Sequence, residues 1–244
     1  MTSAKRIALV TGGNKGIGLE LSRNLSGAGC TVLLGARDVE RSQRAVRKLE
    51  QTGLSDLHFI EIDVTRQDTI TAAAQAIGAQ YGRLDILMNN AGINLRGDGL
   101  PSVADPEVVQ RVFDTNFIGA LRVAQTMLPL LRKSAAGRIV NVSSGLGSLT
   151  LNSDPLRSSH DTKLIGYCAS KAALNMLTVH LAYELRDTKI KVNSANPGFT
   201  KTDLNDNRGI QPVEVGAIAA TRLALLDEDG STGSVFSKDG PDPW

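Results

Sequence analysis

Residues 6–21 read RIALVTGGNKGIGLEL, and the order of features in this stretch decides the fold. The apolar run RIALV suits a buried strand, the glycines that follow at 12, 16 and 18 suit a tight turn, and GLEL opens a segment of helical spacing. Glycine lets the backbone turn sharply and lets main-chain N–H groups come close to a ligand, while the amino end of the next helix favours negative charge. A pyrophosphate is the group such a turn accommodates. The spacing is TGxxxGxG and not the GxGxxG of many dinucleotide folds, so the strand before and the helix after carry as much weight as the glycines.

The same rhythm continues down the chain. Short apolar runs recur as RIALVT, TVLLGA, LHFIEI, LDILMN, GRIVNVSS, IKVNSAN and SVFS, and the spacing between them predicts helices over 16–28, 38–51, 67–81, 105–132, 164–186 and 212–226. Strand and helix in alternation imply right-handed βαβ units and one doubly wound α/β domain over 1–244, with about seven mostly parallel strands and helices on both faces. Near-continuous apolar strands fit that double burial. Two stretches break the rhythm, INLRGDGLPSVADP at 93–106 and GLGSLTLNSDPLRSSHDTK at 145–163. Both begin directly after a strand's carboxyl end, where open α/β sheets form their ligand crevice, and both are candidate site walls.

Composition narrows the classes. With 27 basic and 25 acidic residues the formal net charge is +2, which offers no basic field for a nucleic acid. The apolar stretch in MTSAKRIALVTGG is too short for a signal peptide, and no run approaches the ~20 apolar residues of a membrane span, so a soluble, cytoplasmic protein is expected. Cys30 and Cys168 have no second pair, and His58, His160 and His180 share no ligand-like spacing, so neither a disulfide framework nor a metal site is expected.

Strand two ends in GARD. Enzymes of this architecture that prefer NAD usually place an acid there to hold the ribose hydroxyls, whereas an Arg suits the extra phosphate of NADP, so Arg37 together with Lys15 favours NADP(H). Asp38 competes for the first role, but capping the following helix is the role expected of it. Farther on, YCASK at 167–171 sets a tyrosine and a lysine four residues apart, on one face of a helix. A phenol gives up its proton near pH ~10, and a fixed positive charge nearby lowers that value, so Lys171 would make Tyr167 a usable acid near neutrality; an unrelated pair on an exposed helix turn is the alternative.

Four separated motifs agree in order and spacing: TGGNKGIG at 11–18, NNAG at 89–92, the serine pair 143–144 in GRIVNVSS, and YCASK at 167–171, followed by PG at 197–198. Together they resemble the short-chain dehydrogenase/reductase family over essentially the whole chain. TGGNKGIG, the GAR at the end of strand two and the tail SVFSKDGPDPW are most similar to its carbonyl-reductase-like members. The resemblance implies a Rossmann-type domain that uses NADP(H) to interconvert a carbonyl and an alcohol.

Carried over position by position, the resemblance makes Tyr167 the general acid. Lys171 would lower the phenol's pKa and hydrogen-bond the nicotinamide ribose, and Ser144, facing opposite to Ser143 on its strand, would hold the substrate oxygen. Asn116 in DTNFIG would support a proton relay through the lysine, although a buried amide satisfied within the core is the alternative. Gly12, Asn14, Lys15, Gly16, Ile17 and Gly18 would line the cofactor, with Arg37 at its phosphate and Asp63 and Val64 at the adenine. Asn90, Ala91 and Gly92 would lie near the adenosine side, and Pro197, Gly198 and Thr200 beside the nicotinamide.

Two departures from the family pattern stand out. Between Ser144 and Tyr167 lie 22 residues, more than is common, and if the extra segment covers the face on which relatives pair their helices, a monomer is favoured over a homo-oligomer. After Thr200 only KTDLNDNRGIQ precedes Pro212, which implies a short substrate loop and an open cleft for bulky or varied carbonyl compounds. NADPH-dependent carbonyl reduction is the expected activity. An NAD-dependent secondary-alcohol dehydrogenase, a 3-oxoacyl-thioester reductase and a non-catalytic nucleotide sensor are the alternatives.

Overall fold

Alternate side chains of the first strand point to opposite faces of the sheet and seed two separate cores. In the computed structural model, which describes residues 5–244, β1 spans Ile7–Thr11; Ile7 and Leu9 join one apolar cluster, Ala8 and Val10 the other. Residues 1–4, with which the stretch read against a signal peptide begins, lie outside the described residues. From β1 the chain runs through α1 (Gly16–Gly27), β2 (Thr31–Ala36), α2 (Val39–Glu50), β3 (Leu57–Glu61), α3 (Gln67–Tyr81) and β4 (Ile86–Asn89). It continues with α4 (Pro106–Phe113), α5 (Ala120–Leu131), β5 (Arg138–Val142), α6 (Leu149–Ser153), α7 (Ile165–Glu184) and β6 (Lys191–Ala195). Two short helices, α8 (Val213–Gly216) and α9 (Ile218–Ala224), then lead to β7 (Val235–Ser237) and β8 (Gly240–Asp242).

The strand order is β3-β2-β1-β4-β5-β6-β7-β8, parallel throughout except for the last pair. The doubly wound α/β sheet expected from the sequence is therefore present, with eight strands in place of about seven. The eighth, Gly240–Asp242, carries Gly240 and Pro241, residues found in strands mainly at an edge, and this hid it from a reading by apolar runs. Helices α3, α5 and α7 cover the face that holds Leu9, Leu87, Ile139 and Val192, and α1, α2 and α9 cover the face that holds Val10, Met88, Val140 and Ala195. Each large apolar side chain buried this way contributes about 1.5–3 kcal/mol. Strand order reverses between β1 and β4, and open α/β sheets form their ligand crevice at such a point, at the strands' carboxyl ends.

Local chemistry sets the helix starts. The Asp38 carboxylate accepts from the Arg41 N–H at 2.9 Å and caps α2, the role expected of it. Asp105 caps α4 in the same way, accepting from Glu107 N–H at 2.9 Å, with Pro106 in the first turn. The single helix expected over 105–132 is interrupted: between α4 and α5 the chain makes a π-helical turn, Asp114–Gly119, centred near Asn116. Gly119 lies against Val64, so close that a Cβ there would stand 2.8 Å from Val64 Cγ2. The helix expected over 212–226 likewise divides into α8 and α9.

Opposite the crevice, at the amino ends of the strands, polar side chains tie the elements together. Asp85 is buried and accepts from Ile7 N at 2.8 Å, from Ser134 Oγ at 2.6 Å and from the Arg83 guanidinium. Arg138, 2 % exposed, donates to the carbonyls of Gly137, Lys189, Leu226 and Asp227, and burial pushes its pKa down. These bonds join β5 to the segment after α9. Arg138→Met is expected to lower the unfolding free energy in urea by about 2–4 kcal/mol, through the stranded carbonyls, without changing activity per folded molecule.

Candidate active site

The glycine turn is built for close approach. Gly12 (φ 63°) and Gly16 (φ 53°) adopt the left-handed conformation that favours glycine, and a Cβ on Gly18 would stand 2.3 Å from the Gly12 carbonyl and 2.5 Å from Asn90 Nδ2. Helix α1 starts at Lys15 with no side-chain cap and no acid in its first turn. Its leading N–H groups are thus left for an anion. Asn14 turns toward α2, donating to Ser42 Oγ at 3.2 Å, while Ile17 is half-buried and packs against the core on the α1 face.

Cations gather where β2 ends. Arg37 is exposed one residue beyond the strand, Lys15 is exposed in the glycine turn, and Arg41 on the first turn of α2 joins them. The sequence reading named the first two and missed Arg41, although its position four residues after Arg37 was visible. Lys15 Nζ and Arg41 Nη2 both reach Asp203, at 2.9 and 3.4 Å, from the loop after β6.

Past β4, Asn90 donates through Nδ2 to the carbonyls of Thr11 (2.9 Å) and Gly12 (3.2 Å), while the Asn90 and Ala91 N–H groups donate to Thr11 Oγ1. Here Asn90 and Ala91 hold the glycine turn in place. Asp63 accepts from Thr65 N and Oγ1 at 2.9 and 2.7 Å, closing a turn, and Val64 is buried under Gly119. Pro197 and Gly198 (φ 68°) follow β6. Thr200 is buried and its hydroxyl donates to Pro197 O at 2.9 Å, so that group is used by the loop itself.

Helix α7 carries Tyr167 and Lys171 to the end of β5, where Ser144 lies. Ser144 lies near enough to the Tyr167 phenol to lower its pKa, and Lys171 Nζ lies 5.7 Å from the centre of the tyrosine ring. Lys171, 4 % exposed, donates to Val142 O at 2.8 Å, and its other N–H groups find no acceptor among the described residues. Ser143 points the other way, into the core, with its hydroxyl 3.3 Å from Lys171 O. Asn116, 1 % exposed, exchanges two hydrogen bonds with the Ile93 backbone (2.8 and 3.0 Å) and donates to Ser170 Oγ at 3.0 Å. Both Asn116 Oδ1 and Lys171 Nζ lie 3.4–3.5 Å from where a Gly92 Cβ would be, so glycine keeps the space between them open. A buried polar chain, Asn89 to Asn141 to Thr178 to Ser194, fixes the rotation of α7 on the sheet.

The electrostatics differ from the sequence expectation. Burial drives the Tyr167 pKa up to about 12, the nearby Ser144 hydroxyl offsets only part of the rise, and Lys171 contributes no resolved lowering. The ammonium is aimed at Val142 O and is itself pushed down to about 8 by burial. Part of the tyrosine surface remains reachable, yet protein packs around it, and desolvation wins. In this state the phenol keeps its proton through the whole neutral range.

Loops missed or undervalued in the sequence hold these parts together. Asp98, in the segment 93–106, accepts from the Gly166 and Tyr167 N–H groups, both at 2.8 Å, and so supplies the cap that α7 lacks locally. Nothing local in RGDG signals a helix that begins so far along the chain. In the segment 145–163, Asn152 donates to Leu146 O (2.9 Å) and Cys168 Sγ (3.5 Å), Lys163 Nζ binds Asn152 twice at 2.7 Å, and Thr150 N donates to Trp244 O at 3.0 Å. That segment sits at the tyrosine end of α7 and leaves Met176, Val179 and Tyr183 exposed. The loop after β6 shows apolar surface at Phe199, Leu204 and Ile210. Among the described residues no helix is long and apolar enough to cross a membrane, and no group of three His, Cys, Asp or Glu could hold a metal ion.

Fold and site define a nucleotide-binding oxidoreductase architecture. The chain belongs to the short chain dehydrogenase family, whose model matches residues 6–212. It is 38 % identical over 239 residues to the short-chain dehydrogenase anuI of Penicillium roqueforti, covering 96 % of this chain and 93 % of that one. To carbonyl reductase (NADPH) 1 of Mus musculus it is 33 % identical, with 100 % of each chain covered. The crystal structure of NADPH-bound carbonyl reductase from chicken fatty liver superposes with a TM-score of 0.86 at 28 % identity, covering 99 % of this chain and 100 % of that one.

Two outcomes follow from the geometry. Lys171 holds its proton less tightly when folded (about 8, against 10.5), so between those values the unfolded chain binds more protons and stability rises with pH. Relative to Lys171→Met, the wild-type unfolding free energy is expected to gain about 1–2 kcal/mol from pH 8 to 9.5, and a flat difference in urea titrations would contradict the buried ammonium. Tyr167 acts oppositely, since its folded pKa lies above the ordinary 10, and its contribution is lost as pH rises from 10 toward 12. Separately, Asp98→Ala is expected to cost about 1–2 kcal/mol in the same assay, and Asp98→Asn, which keeps one acceptor oxygen, less.

Proposed function

We propose that the protein is an NADPH-dependent reductase of ketone and aldehyde carbonyls, working in the cytoplasm on small molecules through one nucleotide-binding domain over 1–244. What carries it is the convergence of Ser144, Tyr167 and Lys171 at the end of β5, beside the glycine turn and the strand switch point. The residues suit a dinucleotide: α1 is uncapped, Gly18 leaves room that a Cβ would fill, and the Lys171 ammonium has N–H groups to spare. Gly12, Asn14, Lys15, Gly16, Ile17 and Gly18 would hold its phosphates and adenosine side, with Asp63, Val64, Asn90, Ala91 and Gly92 along one edge. Pro197, Gly198 and Thr200 would border the nicotinamide end, and Lys171 would bind the adjoining ribose. When bound, the cofactor supplies the hydride.

The chain's own groups then handle the oxygen. Ser144 donates to the carbonyl oxygen and holds it beside the phenol; Tyr167, protonated, gives its proton as negative charge develops there. Asn116 keeps the π-helical turn, the Ile93 backbone and Ser170 in register, and Gly92 keeps a passage open between it and Lys171 for a water. Preference for NADP(H) is supported by Arg37, Arg41 and Lys15 around the end of β2, and by Asp38 serving as a helix cap and not as a ribose ligand. The short loop after Thr200, with exposed Phe199, Leu204 and Ile210, supports an open cleft for bulky apolar carbonyl compounds.

The test follows oxidation of NADPH, and separately NADH, with a panel of aldehydes, ketones, diketones and quinones. Turnover with NADPH is expected, and Tyr167→Phe is expected to bind NADPH normally while losing roughly 10²–10⁴-fold in kcat. Full activity in that variant would remove Tyr167 as the acid.

A further inference from the structure

The loop after β6 reaches across the crevice and takes hold of the cofactor side. Asp203 opens a short helical turn, Asp203–Asn205, and its carboxylate binds Lys15 Nζ at 2.9 Å and Arg41 Nη2 at 3.4 Å. Those two cations hold the carboxyl of Asp203 below its ordinary pKa, so it is charged throughout the neutral range. Thr202, one residue earlier, lies against Gly16, where a Cβ would stand 3.3 Å from Thr202 Cγ2. The same loop carries the apolar residues Phe199, Leu204 and Ile210, and it bends through Asp206 (φ 53°) and Asn207 (φ 58°), both left-handed without being glycine. All three charged partners are about half exposed, so the contact is a weak one that a stronger anion can displace.

We propose that Asp203 is a cofactor-discriminating residue that couples the adenosine end of the site to the substrate loop: its carboxylate occupies the cations a ribose 2′-phosphate needs, so a phosphorylated dinucleotide releases the loop and an unphosphorylated one leaves it held. The inference rests on the NADP reading given above. A 2′-phosphate carries more charge than a carboxylate and more acceptor oxygens, so it wins Lys15 and Arg41, and the displaced Asp203 is then repelled by it. NAD has no group to make that exchange. Discrimination between the two cofactors therefore includes the work of breaking the Asp203 contacts, and the state of the loop reports which cofactor is bound.

The test uses two half-cofactors, 2′,5′-ADP and 5′-AMP, on the wild type and on Asp203→Asn, with two readouts. In titration calorimetry, Asp203→Asn is expected to bind 2′,5′-ADP about two- to tenfold more tightly than the wild type does, with 5′-AMP unchanged. In limited trypsin digestion followed by mass spectrometry, cleavage after the exposed Lys201 or Arg208 is expected to quicken in the wild type with 2′,5′-ADP but not with 5′-AMP. In Asp203→Asn it is expected to be fast from the start. If 2′,5′-ADP binds the wild type better than 5′-AMP does, yet the variant changes neither affinity nor cleavage, the coupling is overturned while the NADP reading stands. If 2′,5′-ADP binds no better than 5′-AMP to either protein, the NADP reading fails and the coupling fails with it.

Discussion

The buried ammonium of Lys171 is the interaction on which the rest of the site depends. A charge withdrawn from water must find acceptors, and among the described residues it finds one, the carbonyl of Val142 at the end of β5. That bond ties α7 to the sheet at the position where the crevice opens, and the polar chain from Asn89 to Ser194 fixes the helix's rotation beneath it. Burial lowers the lysine's own pKa and raises that of the tyrosine one turn earlier. The site thus combines an ammonium with spare N–H groups and a phenol that keeps its proton through the neutral range.

Stability and chemistry occupy opposite ends of the sheet. At the amino ends, Arg138 is spent on backbone carbonyls and Asp85 on the Ile7 N–H, the Ser134 hydroxyl and the Arg83 guanidinium. At the carboxyl ends the polar groups are many, and loops supply several of them. Asp98 caps α7 from one loop, Asn152 and Lys163 brace the other against Cys168, and the carbonyl of Trp244 ties down that second wall. Because these side chains mostly bind backbone atoms, each wall is held by a few directional bonds and not by a deep apolar core, which leaves the loops freer to respond to what binds.

Two expectations changed for physical reasons that spacing does not express. The tyrosine and lysine do share a face, but the ammonium points to a carbonyl and desolvation dominates, so proximity along a helix did not translate into a lowered phenol pKa. The long helix expected over 105–132 carries a π-helical turn where Asn116 pairs with the Ile93 backbone, a partner 23 residues away that no local periodicity can register.

Apolar alternation and glycine placement were sufficient to determine the doubly wound sheet, the glycine turn and the cap at Asp38, because each is encoded in neighbouring residues, and the order of the four motifs singled out Ser144, Tyr167 and Lys171 as candidates. Only the tertiary structure decided that Asp98 caps α7, that Arg41 and Asp203 meet Lys15, that Asn152 anchors the extra segment, and which way the Lys171 ammonium points. Each of those depends on groups brought together from distant parts of the chain, and their energies come from burial and distance, quantities that exist only once the sheet has placed the loops side by side.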